Sequence, residues 1–244
     1  MNYTASITDF FRSQKWGTSL LLGAVCILIP MVGPIVLSGW ALTQLWGRGP
    51  SSDPQGAPPF DFQHFSKYLM RGLWPFLVQL VASVVIIPVI MVVMFAGMGI
   101  VAAGASAGSD SQAAGIVAPL LMIVFMALYI SLIIGFNALM TPLTLRASLL
   151  QDFAPTFHLG FCMRFLGLIW QELLLIMLWL ILLGIGMVIL TVITCYIGGL
   201  FAAPLMVYCW HHLQQQLYHS YLRKGGEAIE ISPKLLDVPP VMPS

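Results

Sequence analysis

Glu172 is the one acid placed well inside a long apolar run, where an ionisable side chain is costly and by default functional. Gln79 and Asn137 stand at comparable depth in two neighbouring runs. Arg71, Arg146 and Arg164 stand where such runs begin or end. Brought together, these six would line a polar vestibule open to the cytoplasm, suited to admitting a polar or charged species. The plainer reading is a structural ion pair, Glu172 with Arg71 or Arg164, that pins helices. A carboxylate near the interface can also snorkel to water.

Two other patterns suggest chemistry and carry less. Gly104-Ala105-Ser106-Ala107-Gly108 spells the G-x-S-x-G of serine hydrolases, which exposes a strained serine at a strand-to-helix turn beside a histidine. Here it falls in a loop of small residues, and all five histidines belong to the opposite membrane face in the topology below. The match is coincidence. His211, His212 and His219 cluster at the end of the last apolar run, beside Cys209. Zinc sites favour i, i+4 ligands or neighbouring elements with a carboxylate or thiolate, and no H-E-x-x-H spacing occurs. Packing near lipid headgroups is the expected role of these histidines. The four cysteines (Cys26, Cys162, Cys195, Cys209) stand singly, without a CxxC pair, and read as small buried hydrophobes. No catalytic residue, metal or cofactor is expected, and the chain reads as non-enzymatic.

Of the 244 residues, 59% are hydrophobic and 8% charged, against roughly 25% charged in an ordinary soluble domain. So few charges cannot cover a water-facing surface. Several apolar runs exceed the roughly 18 residues that mark a membrane-helix candidate, and they are continuous rather than alternating, unlike a membrane barrel. A net charge of +1 gives no electrostatic case for nucleic acid. The expected fold is all-α, a polytopic helical membrane protein. Membrane lipids are the expected partners, with other membrane proteins or a homo-oligomer as further candidates.

The order of the apolar runs decides what is positioned where. Residues 19–46 are apolar nearly throughout but broken by Pro30, Gly33 and Pro34. Arg12 and Lys15 precede this stretch, and Arg48, Lys67 and Arg71 follow it. A single crossing would put cations on both membrane faces, against the positive-inside tendency. A re-entrant hairpin turning at Pro30, Gly33 and Pro34 keeps them together. Each arm reaches roughly 17 Å, about half the bilayer, so other helices should wrap the irregular turn. One long helix kinked at the prolines is the alternative.

Residues 3–16, 62–73 and 153–165 each show helical periodicity with one polar face, predicting short amphipathic helices in the interface. Four full transmembrane helices follow from the long runs at 73–103, 116–144, 165–194 and 199–221. Residues 1–224 then form a single integral-membrane domain, with a short, Pro-containing, flexible cytoplasmic tail at 225–244. Tyr68-Leu69-Met70-Arg71 echoes Phe161-Cys162-Met163-Arg164, each ahead of a Trp and an apolar hairpin, which suggests tandem units at 60–146 and 153–223. Gly97, Gly99, Ala103, Gly184 and Gly186 permit close helix approach. This topology puts all ten Lys and Arg on one face, with both termini cytoplasmic.

Leu28-Ile29-Pro30, Gly33-Pro34-Ile35 and Gly39-Trp40, followed by Pro58-Pro59-Phe60-Asp61 and Gly72-Leu73, resemble an uncharacterised prokaryotic membrane family, domain of unknown function 4013. The likeness covers roughly the first hundred residues. It implies a multi-pass protein of a cell membrane such as the bacterial inner membrane, and supplies no catalytic residue or substrate.

Overall fold

Long apolar runs without strand alternation fold as helices, because in lipid a helix satisfies its own backbone. The computed structural model describes residues 1–13, 15–47, 59–106 and 114–236. Among these the helices are α1 (Ala5–Arg12), α2 (Trp16–Ile27), α3 (Val32–Trp46), α4 (Phe65–Ser106), α5 (Ala114–Leu150), α6 (Leu159–Ile193), α7 (Ile197–Arg223) and the short α8 (Pro233–Leu236), with no strand. Among the described residues three segments are long and apolar enough to cross a membrane: Phe62–Ala103, Pro119–Leu150 and Leu159–Ile193. Their apolar side chains are left bare, with Val92 69% and Ile193 74% exposed. A soluble monomer does not carry such a surface. The protein is an all-helical membrane protein.

α7 does not join those three by composition, because its second half carries His211, His212, Gln214, Gln215, Gln216 and His219. It is nevertheless the helix on which α1, α2, α3 and α6 all pack. α6 and α7 run antiparallel along their length. Thr194 Oγ1 accepts from Gly198 N at 2.8 Å near the turn, and the Phe165 and Tyr221 rings lie 4.9 Å apart toward the other end.

Residues 19–46 form two helices, not one kinked helix. Met31 takes φ 64°, and the chain reverses between α2 and α3. A β-carbon on Gly33 would collide with the backbone carbonyl of Cys26, so the two arms meet with only glycine between them. The turn is not wrapped by other helices as expected: Leu28 is 61% and Met31 67% exposed. It needs no wrapping, because it bonds to itself. Leu28 N donates to Val25 O, Ile29 N to Cys26 O, Val32 N to Pro30 O and Gly33 N to Ile29 O.

Of the three amphipathic segments, only the first is a separate helix, α1. The stretch at 62–73 is continuous with the span: a one-turn 3₁₀ segment capped by Asp61 leads into α4, which runs through Pro75. Proline removes the N–H that would bond the carbonyl four residues earlier. That carbonyl, Arg71 O, accepts from Gln151 Nε2 at 3.2 Å instead, so the helix continues. Residues 153–165 likewise run into α6, whose one irregular residue is Ile169 (φ −130°, ψ 20°).

The described part of the tail packs on the bundle rather than hanging free. Ser232 N donates to Leu149 O, Ile229 N donates to Tyr218 Oη at 2.7 Å, and Leu235 is fully buried.

The chain divides into two compact units, Met1–Val78 with Pro142–Ser244, and Gln79–Thr141. The boundaries fall inside α4 and α5. In the first unit Phe10, Trp40, Phe60, Tyr68 and Tyr208 form an aromatic core, with Phe10 and Tyr208 centroids 5.3 Å apart and edge-to-face. Such pairs contribute about 0.5–1.5 kcal/mol each beyond their area. In the second unit Gly97 faces the Phe125 ring so closely that a β-carbon would overlap it.

Candidate functional site

The six residues singled out from the sequence separate into distinct attachments. Gln79 and Asn137 belong to the second unit, where Asn137 Nδ2 donates to Ile133 O one turn back at 2.9 Å. Arg71, Arg146, Arg164 and Glu172 belong to the first unit. Arg146 Nη2 donates to Pro155 O at 2.8 Å, and its guanidinium stands 4.8 Å over the Phe161 ring. Arg164 Nη2 donates to Gly225 O at 3.2 Å.

Glu172 pairs with Lys224 at the end of α7, through Oε1 at 2.5 Å, rather than with Arg71 or Arg164. The same ammonium donates to Leu168 O at 2.9 Å, one residue before the irregular Ile169. Lys224 therefore bridges the break in α6. Oε2 of Glu172 is buried without a hydrogen-bond partner among the described residues. Near it, burial and the Glu172 charge push the Tyr3 phenol above its ordinary value, and the Tyr3 ring lies 6.2 Å from that of Trp179.

Arg71 is the most committed of the set. It is 4% exposed. Nη1 donates to Thr43 Oγ1 at 2.8 Å, while Nη2 and Nε donate to Lys234 O at 2.7 and 3.2 Å. Thr43 Oγ1 in turn donates to Gly39 O at 2.8 Å. With Gln151 on its carbonyl, this one residue ties α3, α4, the end of α5 and the C-terminal segment together. Thr43, Gln151 and Lys234 were not singled out from the sequence. Gln151 had a usable signal, since Pro75 leaves an orphan carbonyl on the preceding turn that some donor must take.

The polar end of α7 is a row of fasteners. His211 Nε2 and Ser38 Oγ lie 2.8 Å apart, Gln214 Nε2 donates to Thr144 Oγ1 at 3.1 Å, and Gln215 Nε2 donates to Leu45 O at 2.7 Å. Gln216 accepts from Asn2 N and donates to Asn2 O, both at 2.9 Å, and lies 3.2 Å from His212 Nδ1. Gln216 can only donate to that nitrogen, which leaves His212 Nε2 to donate to Asp9 at 3.3 Å. This chain holds α1 on α7.

Among the described residues no group of three or more His, Cys, Asp or Glu is placed to hold a metal ion. The serine of the G-x-S-x-G stretch belongs to 104–118, whose side chains lie outside the described residues. Three of the four cysteines are buried, while Cys195 is exposed at the α6–α7 turn rather than buried as expected. Gly99, Gly184 and Gly186 face open space; close approaches are made instead at glycines that include Gly23, Gly33, Gly39, Gly72 and Gly97.

Neither a curated protein nor a solved structure matches the chain. The model of one family, described as Protein of unknown function (DUF4013), matches residues 22–198, well past the first hundred residues that carry the visible likeness. With most of its length matched, from the α2–α3 hairpin to the start of α7, the chain belongs to that family.

Proposed function

We propose that the chain is a non-enzymatic accessory, assembly or scaffold subunit of the cytoplasmic membrane, with four full spans, one re-entrant hairpin and both termini cytoplasmic. The observation that carries this reading is how the polar groups are used. Arg71 is bonded to α3 and to the C-terminal segment, Arg146 to the 154–156 turn, and Arg164 and Glu172 to the turn that ends α7, as fasteners are. Held this way they stabilise a platform.

Lengths support the topology. α2 and α3 hold 12 and 15 residues, roughly 18 and 22 Å, short of the roughly 30 Å hydrocarbon core. α7 holds 27 residues, roughly 40 Å, and returns beside α6, so α7 crosses wherever α6 does. Its polar residues fall in the half that returns to the cytoplasmic interface.

A photo-crosslinker at Val92, on the bare face of α4, tests the role in native membranes. A discrete adduct with one membrane protein or with a second copy of the chain supports the accessory reading. Adducts with lipid alone count against it. The alternative, a small transporter or channel-like protein with a cytoplasm-facing vestibule, is favoured by the unpartnered Oε2 of Glu172. It requires Glu172→Gln to change solute flux into proteoliposomes; unchanged flux removes it.

A further inference from the structure

The Gln216 amide is fixed by groups that cannot trade roles. Its Oε1 accepts from Asn2 N and its Nε2 donates to Asn2 O, both at 2.9 Å. A backbone N–H only donates and a backbone carbonyl only accepts, so Asn2 decides which way the amide points. The second hydrogen on Nε2 is then left for His212 Nδ1, 3.2 Å away. That nitrogen must be bare. The arrangement holds with His212 neutral and its proton on Nε2, which faces Asp9 at 3.3 Å.

A proton on Nδ1 would set one N–H against another. Turning the amide over brings Oε1 to Nδ1, but it also brings Oε1 to Asn2 O and Nε2 to Asn2 N. One hydrogen bond forms and two are lost. Asn2 is exposed, so water takes its groups on release and the docking is weak enough for one proton to tip. The Asp9 contact survives, because the charged ring still donates there. Arg12 already stands 3.5 Å from the other oxygen of that carboxylate, so Asp9 has a cation beside it in either state.

The other elements packed on α7 bring little charge to the ring. α2 and α3 contain no Asp, Glu, Lys, Arg or His, and Arg164 and Glu172 of α6 bond to Gly225 and Lys224 past the last turn of α7. On α7 itself Tyr208 stacks on His212 at 5.9 Å, His211 is bonded to Ser38, and His219 and Arg223 stand two and three turns further on.

Asn2 has two further attachments. Its Oδ1 accepts from Thr4 Oγ1 at 2.9 Å and from Ala5 N at 3.2 Å, capping the first turn of α1. The next residue, Tyr3, lies against Trp179 of α6. We propose that His212 is a proton-sensing latch for the segment ahead of α1: the neutral ring lets Gln216 hold Asn2, and protonation of Nδ1 turns that amide and releases Asn2 and Tyr3 while Asp9 keeps α1 in place. The latch is closed at neutral pH and opens as pH falls through the titration of His212. It is independent of the accessory role.

The test uses the full chain in detergent micelles, taken from about pH 8 to about pH 4.5, across the ordinary range of histidine. The His212 ring is followed by its ¹⁵N shifts, and the backbone by ¹⁵N order parameters. Those of Asn2 and Tyr3 are expected to fall from about 0.85 to below about 0.6 along the same curve as the ring titration. Those of Phe10 and Phe11 should hold. His212→Asn keeps an acceptor facing Gln216 but takes no proton, so Asn2 should stay ordered at every pH. Gln216→Leu should leave Asn2 loose at every pH, with unchanged order in α6 verifying the fold.

An Asn2 that stays ordered while His212 titrates overturns the proposal, as does a ring that stays neutral down to the lowest pH. Acid loosening that persists in His212→Asn assigns the response to another group and overturns it too. Loosening that follows the His212 curve and vanishes in His212→Asn upholds it.

Discussion

At the crossing of α3 and α4 a β-carbon on Gly39 would fall on the carbonyl oxygen of Tyr68, and one on Gly72 on the carbonyl oxygen of Ile35. The two helices touch reciprocally, Cα against carbonyl. Ordinary β-carbon contacts begin near 3.4 Å, so alanine at either position must part the backbones by roughly 1.5 Å, since packed interiors offer no slack. A gap of that size forfeits at least a quarter to a half of the dispersion energy along the seam, and overpacking of this kind costs about 1–3 kcal/mol. We place it at the upper end, because both obstacles are backbone and cannot rotate away. Alanine returns about 1 kcal/mol of helix propensity, leaving a net loss of about 2 kcal/mol, or roughly 4–8 °C in melting temperature for a chain of this size. The assay is a fluorescence-detected thermal melt of Gly39→Ala, Gly72→Ala and the double variant in one detergent. One separation of the helices relieves both clashes, so the double variant should lose little more than either single one. Gly99→Ala, whose β-carbon meets open space, should melt like the parent or slightly above it. Single variants within about 1 °C of the parent, or strictly additive losses, would refute backbone contact between α3 and α4.

Gln151→Ala leaves the Arg71 carbonyl without its donor and should cost about 1–2 kcal/mol. In a Pro75→Ala background the restored N–H takes that carbonyl and the cost should shrink; an equal cost in both backgrounds would show that Gln151 does not serve it. His212→Ala cuts the chain from Asn2 through Gln216 to Asp9, so deuterium uptake over α1 should rise with little change in α6. Uptake left as in the parent would mean that α1 is held by the Phe10 core alone. Cys195 is the exposed thiol of the four, and the proposed topology has an impermeant maleimide modify it only from the non-cytoplasmic side, with Cys195→Ser abolishing the signal. Labelling from the cytoplasmic side would overturn the topology.

Much of the architecture was legible because lipid imposes simple rules. Continuous apolar runs without alternation pointed to helices, and Pro30, Gly33 and Pro34 marked the place where residues 19–46 divide into α2 and α3. The site was not legible, for a reason visible at Arg71. Its partners are the hydroxyl of Thr43 and the carbonyl of Lys234, and a carbonyl acceptor has no sequence signature because every residue has one. The sequence points Glu172 to Arg71 or Arg164; it pairs instead with Lys224, whose ammonium also bonds Leu168 O beside a break at Ile169 that no Gly or Pro at that position announces. Residues 62–73 and 153–165, unlike α1, run on into α4 and α6, because amphipathic periodicity says which face is polar, not whether the helix axis bends.

Polar fasteners and bare glycine contacts belong together here. Between helices in lipid, burying one more leucine gains little, because the acyl chains it leaves are equally apolar. Specific association must then come from backbones brought close enough for dispersion and from hydrogen bonds between the helices. α3 meets α4 by the first means, at Gly39 and Gly72, and α7 by the second, through Ser38 with His211 and Leu45 O with Gln215. The low mean hydropathy that keeps α7 from resembling a span is therefore the cost of making it the hub. Replacing Gln215 with leucine would make α7 read more like a membrane helix and hold α3 less well.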